Sequence, residues 1–154
     1  MVLEIRREAL DSEAAQRLIG ALNVELRGEY PEPGANHFRL DGEEVSEGSG
    51  SFVVAYADGM AVGCGAVRKL DESTGELKRM FVTPEARGKG VGRAVLERLE
   101  GEARGMGMKR LLLETGIRQK AADAMYRSAG YRDIPPFGEY VLSAATSVCM
   151  SKDL

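Results

Sequence analysis

Three alternating glycines, in Arg87-Gly88-Lys89-Gly90-Val91-Gly92, constrain this 154-residue chain more than any other feature. The run Leu77-Lys78-Arg79-Met80-Phe81-Val82 stands before them and reads as a strand. The segment from Gly92 to roughly Gly105 follows and reads as a helix. A strand that turns through glycines into a helix aims several backbone N–H groups at one point, and the helix adds the positive end of its dipole. Such a place suits an anion, above all a phosphate or pyrophosphate. On the hexapeptide alone a second reading stays open, a solvated glycine turn carrying the basic cluster Arg87, Lys89 and Arg93.

Spacing narrows the choice of phosphate motif. A dinucleotide fingerprint needs Gly-x-Gly-x-x-Gly. Counting from Gly88 and Gly90, the third position is Arg93; counting from Gly90 and Gly92, it is Val95. A P-loop needs Gly-Lys followed by Ser or Thr, and Gly88-Lys89 is followed by Gly90. What remains is Arg-x-x-Gly-x-Gly, on Arg87, Gly90 and Gly92.

The length fits a single domain over 1–154 with a real core. Net charge is −3, which gives no global reason to bind nucleic acid. No apolar run approaches the ~20 residues of a membrane span, and the charged, alternating N-terminus does not read as a signal peptide. Cys64 and Cys149 match no metal-ligand spacing, and His37 is the one histidine, so a metal site or a serine–histidine triad is not expected. Two reduced, buried thiols suit a cytoplasmic protein.

Periodicity orders the rest. Residues 2–8 read as a strand, and Asp11 or Ser12 can cap a helix whose apolar face is Ala14, Ala15, Leu18, Ile19, Leu22 and Leu26. Residues 31–50, rich in proline and glycine, read as a mobile segment facing substrate, with at most one helical turn. Strands 51–57 and 60–69 meet at Asp58-Gly59, a strong hairpin signal. A third strand covers 76–82 and stops at Thr83-Pro84. After the glycine loop and its helix come a buried strand at 109–114, a helix at 121–129 with Gly130 as its C-cap, a segment at 131–134, a Pro135-Pro136-Phe137-Gly138 turn and a last strand near 146–152. This order predicts an α/β fold: a single mixed sheet with helices on both faces.

Four features in sequence then agree: strand 76–82, the loop Arg87–Gly92, strand 109–114, and Tyr126-Arg127-Ser128-Ala129-Gly130-Tyr131. Together they resemble the core of the GCN5-related N-acetyltransferases, whose ending is Tyr-x-x-x-Gly-aromatic. The resemblance implies a mostly antiparallel sheet that splays between two central parallel strands, here 76–82 and 110–115, with acetyl-CoA in the gap. It implies that the backbone of Arg87, Gly88, Lys89, Gly90, Val91, Gly92 and Arg93 holds the pyrophosphate, with Arg87, Lys89 and Arg93 adding charge. It implies that the main chain of Met80, Phe81 and Val82 pairs with the pantetheine arm, and that the Val82 N–H steadies the oxyanion.

By the same resemblance Tyr126 donates a proton or hydrogen bond to the departing thiolate. Glu76 is the candidate base, expected on one strand face with Lys78, Met80 and Val82; Glu114 is the competing carboxylate. Gln119 stands where many members have asparagine. His37, Tyr30 and Phe137–Tyr140 are weaker candidates for acceptor contacts. The expected function is direct transfer of acetyl from acetyl-CoA to a primary amine of a small molecule, without metal, membrane or nucleic acid, and compatible with a homodimer. Acetylation of a protein N-terminus or lysine, and a non-catalytic CoA-binding module, remain as alternatives.

Overall fold

The computed structural model describes residues 1–154. Seven strands form one sheet in the order β1-β2-β3-β4-β5-β7-β6. They are β1 (Leu3–Arg7), β2 (Gly50–Ala57), β3 (Met60–Lys69), β4 (Thr74–Val82), β5 (Arg110–Gly116), β6 (Arg132–Ile134) and β7 (Ser147–Asp153). Three helices cover it: α1 (Glu13–Glu29), α2 (Val91–Gly105) and α3 (Lys120–Ser128). All strand pairs are antiparallel except β4 with β5. This is the mixed α/β sheet expected, with apolar faces on both sides. Leu18 and Leu22 of α1 pack with Phe52, Val54 and Phe81 on one face. Val95, Leu96 and Leu99 of α2 pack with Val53, Val67 and Leu77 on the other.

Local chemistry explains the boundaries. Ser12 caps α1 by accepting the Ala15 N–H at 3.0 Å. Asp58 and Gly59 take positive φ (51° and 85°), as a two-residue hairpin turn with the correct twist requires. Residues 31–50 hold one 3-10 turn, Gly42–Val45, as expected. A second 3-10 segment, Gly138–Ser143, was not signalled by the apolar pattern.

Two departures shape the site. Parallel pairing of β4 with β5 runs only from Thr74↔Arg110 to Leu77↔Leu113. Beyond that point the strands part, so Lys78 and Glu114 stand at the mouth of a gap. The second departure corrects the expected alternation along β4. Cys64 pairs with Phe81 but Ala66 with Lys78, so Arg79 and Met80 oppose the single Gly65 in a β-bulge, and Arg79 has φ +56°. The extra residue inverts the faces downstream. Glu76 shares a face with Lys78, but Met80 and Val82 now pack on the α2 side, and Phe81 joins the α1 cluster. Glycine opposite the bulge is required: a Cβ on Gly65 would lie 2.5 Å from Met80 Sδ and 2.8 Å from Leu99 Cδ1.

Candidate active site

The glycine loop is built as an anion cradle. Gly88 (φ +78°) and Gly90 (φ +84°, the N-cap of α2) adopt left-handed backbone. The N–H groups of Gly88, Lys89, Gly90, Val91, Gly92 and Arg93 donate to no acceptor within the protein. Residues 87–90 are exposed, and a Cβ on Gly88 or Gly90 would meet nothing within 4 Å, so the approach is open. Gly92 serves differently: a Cβ there would lie 3.2 Å from Met125 Sδ, so this glycine lets α3 pack on the first turn of α2.

The three basic side chains divide. Arg87 donates to the Val82 carbonyl (2.9 Å) and pairs with Glu25 (2.8 Å), which ties the loop to β4 and α1. Arg93 pairs with Glu97 at 3.3 Å. Lys89 makes no ion pair or hydrogen bond and is exposed. Of the three cations expected to add charge at the loop, Arg87 and Arg93 are thus engaged with carboxylates of the protein and Lys89 is not.

The end of α3 gives the Tyr-x-x-x-Gly-aromatic pattern a physical reason. Gly130 (φ +100°) follows the C-cap Ala129; its N–H donates to the Arg127 carbonyl (3.1 Å), and the Tyr131 N–H donates to that of Tyr126 (3.0 Å). These are the two bonds of a Schellman motif, and its usual apolar contact is the edge-to-face pair Tyr126–Tyr131 at 5.8 Å. The motif stops the helix where Tyr126 faces the gap. Burial pushes the Tyr126 phenol well above its usual range, and the charge of Glu114 adds to this.

A cavity of about 130 Å³ opens where β4 and β5 part. Leu22 and Leu26 wall it from α1 and Tyr30 from the C-cap of that helix, Ala122 and Tyr126 from α3, and Lys78, Arg79, Met80, Glu114 and Thr115 from the strands. Gln119 also lines it, and its side chain accepts the Tyr30 hydroxyl at 3.2 Å. That hydroxyl in turn accepts the Arg118 N–H at 2.8 Å. Tyr30 fits because residue 116 is glycine; a Cβ there would lie 2.0 Å from its oxygen.

The two candidate carboxylates have different surroundings. Glu76 is 1% exposed and does not line the cavity. Its Oε1 accepts from Arg68 Nη2 (2.8 Å) and Nε (3.1 Å), and its Oε2 accepts the Tyr140 hydroxyl (2.5 Å). Arg68 also pairs with Glu44 at 2.5 Å, which fastens the 42–45 turn to the sheet. Glu76 is therefore locked into the fold. Glu114 does line the cavity, and burial pushes its carboxyl up to about 6, against the lowering effect of a hydrogen bond from Ser147.

That bond begins a chain. Ser147 Oγ donates to Glu114 Oε2 (2.6 Å), Ser147 and Ser143 hydroxyls meet at 2.8 Å, Ser143 Oγ meets His37 Nε2 at 2.7 Å, and His37 Nδ1 lies 3.1 Å from Glu139 Oε1. Glu139 is half exposed. No local sequence signal links His37, Ser143 and Ser147; the 3-10 segment and the start of β7 bring them together. Lys78 and Arg79 had no signal either, apart from Gly65, since a glycine inside a strand marks a bulge.

A parallel strand pair that opens beside an unpaired glycine cradle, with a Schellman-capped tyrosine facing the gap, agrees with the sequence comparison. The Acetyltransferase (GNAT) family profile matches residues 15–131. The chain belongs to the GNAT acetyltransferase family. It is an N-acetyltransferase enzyme that uses acetyl-CoA. Among GNAT relatives, an IAA acetyltransferase of Azospirillum brasilense is 44% identical over 137 residues, 88% of each chain. A solved structure from Klebsiella pneumoniae, assigned to the acyl-CoA N-acyltransferases, has a TM-score of 0.83 at 31% identity over 99% of this chain and 98% of its own. A GNAT acetyltransferase of Elizabethkingia anophelis with acetyl-CoA bound shares the fold, at a TM-score of 0.71 and 17% identity over 99% of this chain and 98% of its own.

Proposed function

We propose that this GNAT enzyme acetylates the primary amine of a small molecule by direct transfer, with Glu114 as general base and Tyr126 as the proton or hydrogen-bond donor to the departing CoA thiolate. One observation carries the reading: Glu114, Tyr126 and Met80 converge on a single cavity at the point where β4 leaves β5. The cavity's size suits a small amine, and the relative named for IAA is itself named for a small-molecule reaction.

The donor side follows from the backbone. Six N–H groups of the loop receive the pyrophosphate, and Lys89 adds charge. The pantetheine arm lies along Met80–Val82, whose outer edge β5 no longer covers. The Arg79 carbonyl accepts from Cys64 Sγ (3.4 Å) on β3. The N–H of the same planar peptide, that of Met80, points away from β3. Met80 lines the cavity beside Glu114 and Val82 does not, so the thioester oxygen is assigned to the Met80 N–H, not to that of Val82 as the sequence suggested.

The proton side follows from Glu114. Ionised at neutral pH but basic for a carboxylate, it takes a proton from the substrate ammonium as the amine attacks. With His37 as imidazolium, the protons of the Ser143–Ser147 chain all point toward Glu114. With Glu114 protonated and His37 neutral, they all point toward His37. These are the two ends of one proton's passage: an O–H bond breaks at Glu114 and an N–H bond forms at His37 Nε2, while Nδ1 across the ring faces the half-exposed Glu139. Locked by Arg68 and Tyr140, Glu76 keeps the acceptor side rigid.

The test is thiol release from acetyl-CoA over a panel of small amines and lysine-bearing peptides. Rapid release with at least one small amine, and product acetylated on nitrogen, is expected. CoA binding without release from any amine would overturn the reading. Tyr126→Phe should lower kcat about 100-fold with CoA affinity retained; an unchanged kcat would remove the tyrosine from the mechanism.

A further inference from the structure

Four charged side chains are buried in this protein: Glu76, Lys78, Arg79 and Glu100. The two acids are paired, Glu76 with Arg68 and Glu100 with Lys152. The two cations are not. Lys78 Nζ donates to the Arg39 carbonyl at 2.8 Å, and Arg79 Nη2 donates to the side-chain amide oxygen of Asn23. Both acceptors are neutral. Arg79 is 7% exposed, its Nε has no hydrogen-bond partner, and it sits on the ring of Phe38 at 5.2 Å. Both residues line the cavity that holds Glu114.

Burying one charge without an opposite charge is costly, and burying two neighbours of the same sign is more so. The chain accepts a further cost to place them. Arg79 is the bulge residue, at φ +56°, a conformation that a residue with a long side chain rarely adopts. Without the bulge, Arg79 would follow strict alternation onto the α2 face. With it, Lys78 and Arg79 both turn to the α1 side: Lys78 reaches Arg39, and Arg79 reaches Asn23 of α1. Desolvation lowers the Arg79 pKa from its ordinary value, as expected for a guanidinium that lacks a counter-ion.

We propose that Lys78 and Arg79 form the anchoring site for a carboxylate on the acceptor, so that the substrate class is an amino carboxylate whose amine is presented to Glu114. This rests on the acetyltransferase reading above and deepens it. A planar carboxylate fits the free edge of a guanidinium, and Lys78 adds a point charge at the mouth of the gap. Glu114, the first β5 residue past the last parallel pair, attracts the ammonium end. A zwitterion laid between the cations and this carboxylate is thereby oriented before reaction. Amines that lack the acid leave the two cations uncompensated and bind poorly.

The experiment uses matched acceptors, amino acids and their carboxamides, assayed by CoA thiol release with the full-length enzyme. The amino acids should exceed their amides in kcat/KM by about 10- to 100-fold, mostly through KM. Arg79→Asn, chosen because asparagine tolerates positive φ, and Lys78→Gln should each collapse that ratio toward one. Circular dichroism and CoA affinity report folding of both variants, and Lys78→Gln leaves the bulge residue untouched. Amides used as well as acids by the wild type, or a ratio unchanged in both folded variants, would overturn the anchor while leaving the acetyltransferase intact. No release with any amine would overturn the acetyltransferase reading itself. The two failures are distinguishable.

Discussion

In the mechanism we propose, the donor half and the acceptor half of the site are made of different material. The donor half is main chain: six N–H groups of one glycine loop and the uncovered edge of one strand. The acceptor half is side chains from separate elements: Arg68 and Tyr140 around the Glu76 carboxylate, and Ser147, Ser143 and His37 behind that of Glu114. Backbone sites tolerate many side chains but few changes in glycine. Side-chain networks tolerate changes in glycine elsewhere but few changes in their members. The two halves should therefore fail in different ways.

The largest effect should come from the loop. Gly90→Asp places a carboxylate among N–H groups that await an anion. The Cβ has room, and the strain at φ +84° costs about 1 kcal/mol, so the protein should stay folded. CoA affinity should fall by at least about 100-fold in calorimetry. Retained affinity would break the claim that the donor half is main chain.

Next come the two carboxylates, which separate a chemical role from a structural one. Glu114→Gln should lower kcat/KM by about 100-fold or more and remove the acid limb of its pH profile, which in the wild type should fall as pH drops through about 6. Stability should move the opposite way. A carboxyl raised from 4.5 to about 6 destabilises the fold as pH rises between those values and at all higher pH. Replacing it should stabilise the protein at neutral pH by up to about 2 kcal/mol, and not at all below pH 4.5. Glu76→Gln should do the reverse: it weakens a buried ion pair and lowers the melting temperature, with the pH limb left in place. An acid limb that moves with Glu76 and not with Glu114 would exchange their roles.

The contrast also explains what the sequence could reveal. The strand–helix order was legible because apolar periodicity marks it, and the loop and the Schellman ending because each depends on glycine at a fixed spacing. Glycine is demanded there by positive φ or by close approach, as at Gly90, Gly130 and Gly92. Strict alternation holds for Glu76 and Lys78 but misplaces Met80 and Val82, because one extra residue creates a bulge between them, and nothing local shows that Arg68 and Tyr140 close around Glu76. Arg79 looks like any strand arginine until Gly65 is seen opposite it. The hydroxyl chain was invisible for another reason: His37 is far in sequence from Ser143 and Ser147 and becomes their neighbour only when the 138–143 segment folds back beside it. Nothing local encodes that approach.

A smaller effect is expected from that chain. Ser143→Ala removes the link between Ser147 and His37 but leaves Glu114 in place. It should lower kcat about 10-fold, less than loss of the base itself, with KM for acetyl-CoA unchanged. Imidazole added to the buffer should restore part of the rate in the variant and do nothing for the wild type, because a free base can then receive the proton that His37 no longer reaches. Absence of rescue would mean that the hydroxyls only position Glu114.

The smallest effect sharpens the donor half most. Lys89 is the loop cation with no partner in the protein, whereas Arg87 is held by Glu25 and the Val82 carbonyl. Lys89→Ala should weaken CoA binding by about 2- to 5-fold at low ionic strength, the scale of an exposed charge pair. The difference should vanish near 1 M salt, where the screening length is about 3 Å. The main-chain contribution is directional and shielded by the bound ligand, so wild type and variant should converge on the same residual affinity. If Lys89→Ala instead costs as much as Gly90→Asp, and salt does not erase the loss, the pyrophosphate is held by a side chain, and the division between a backbone half and a side-chain half is wrong.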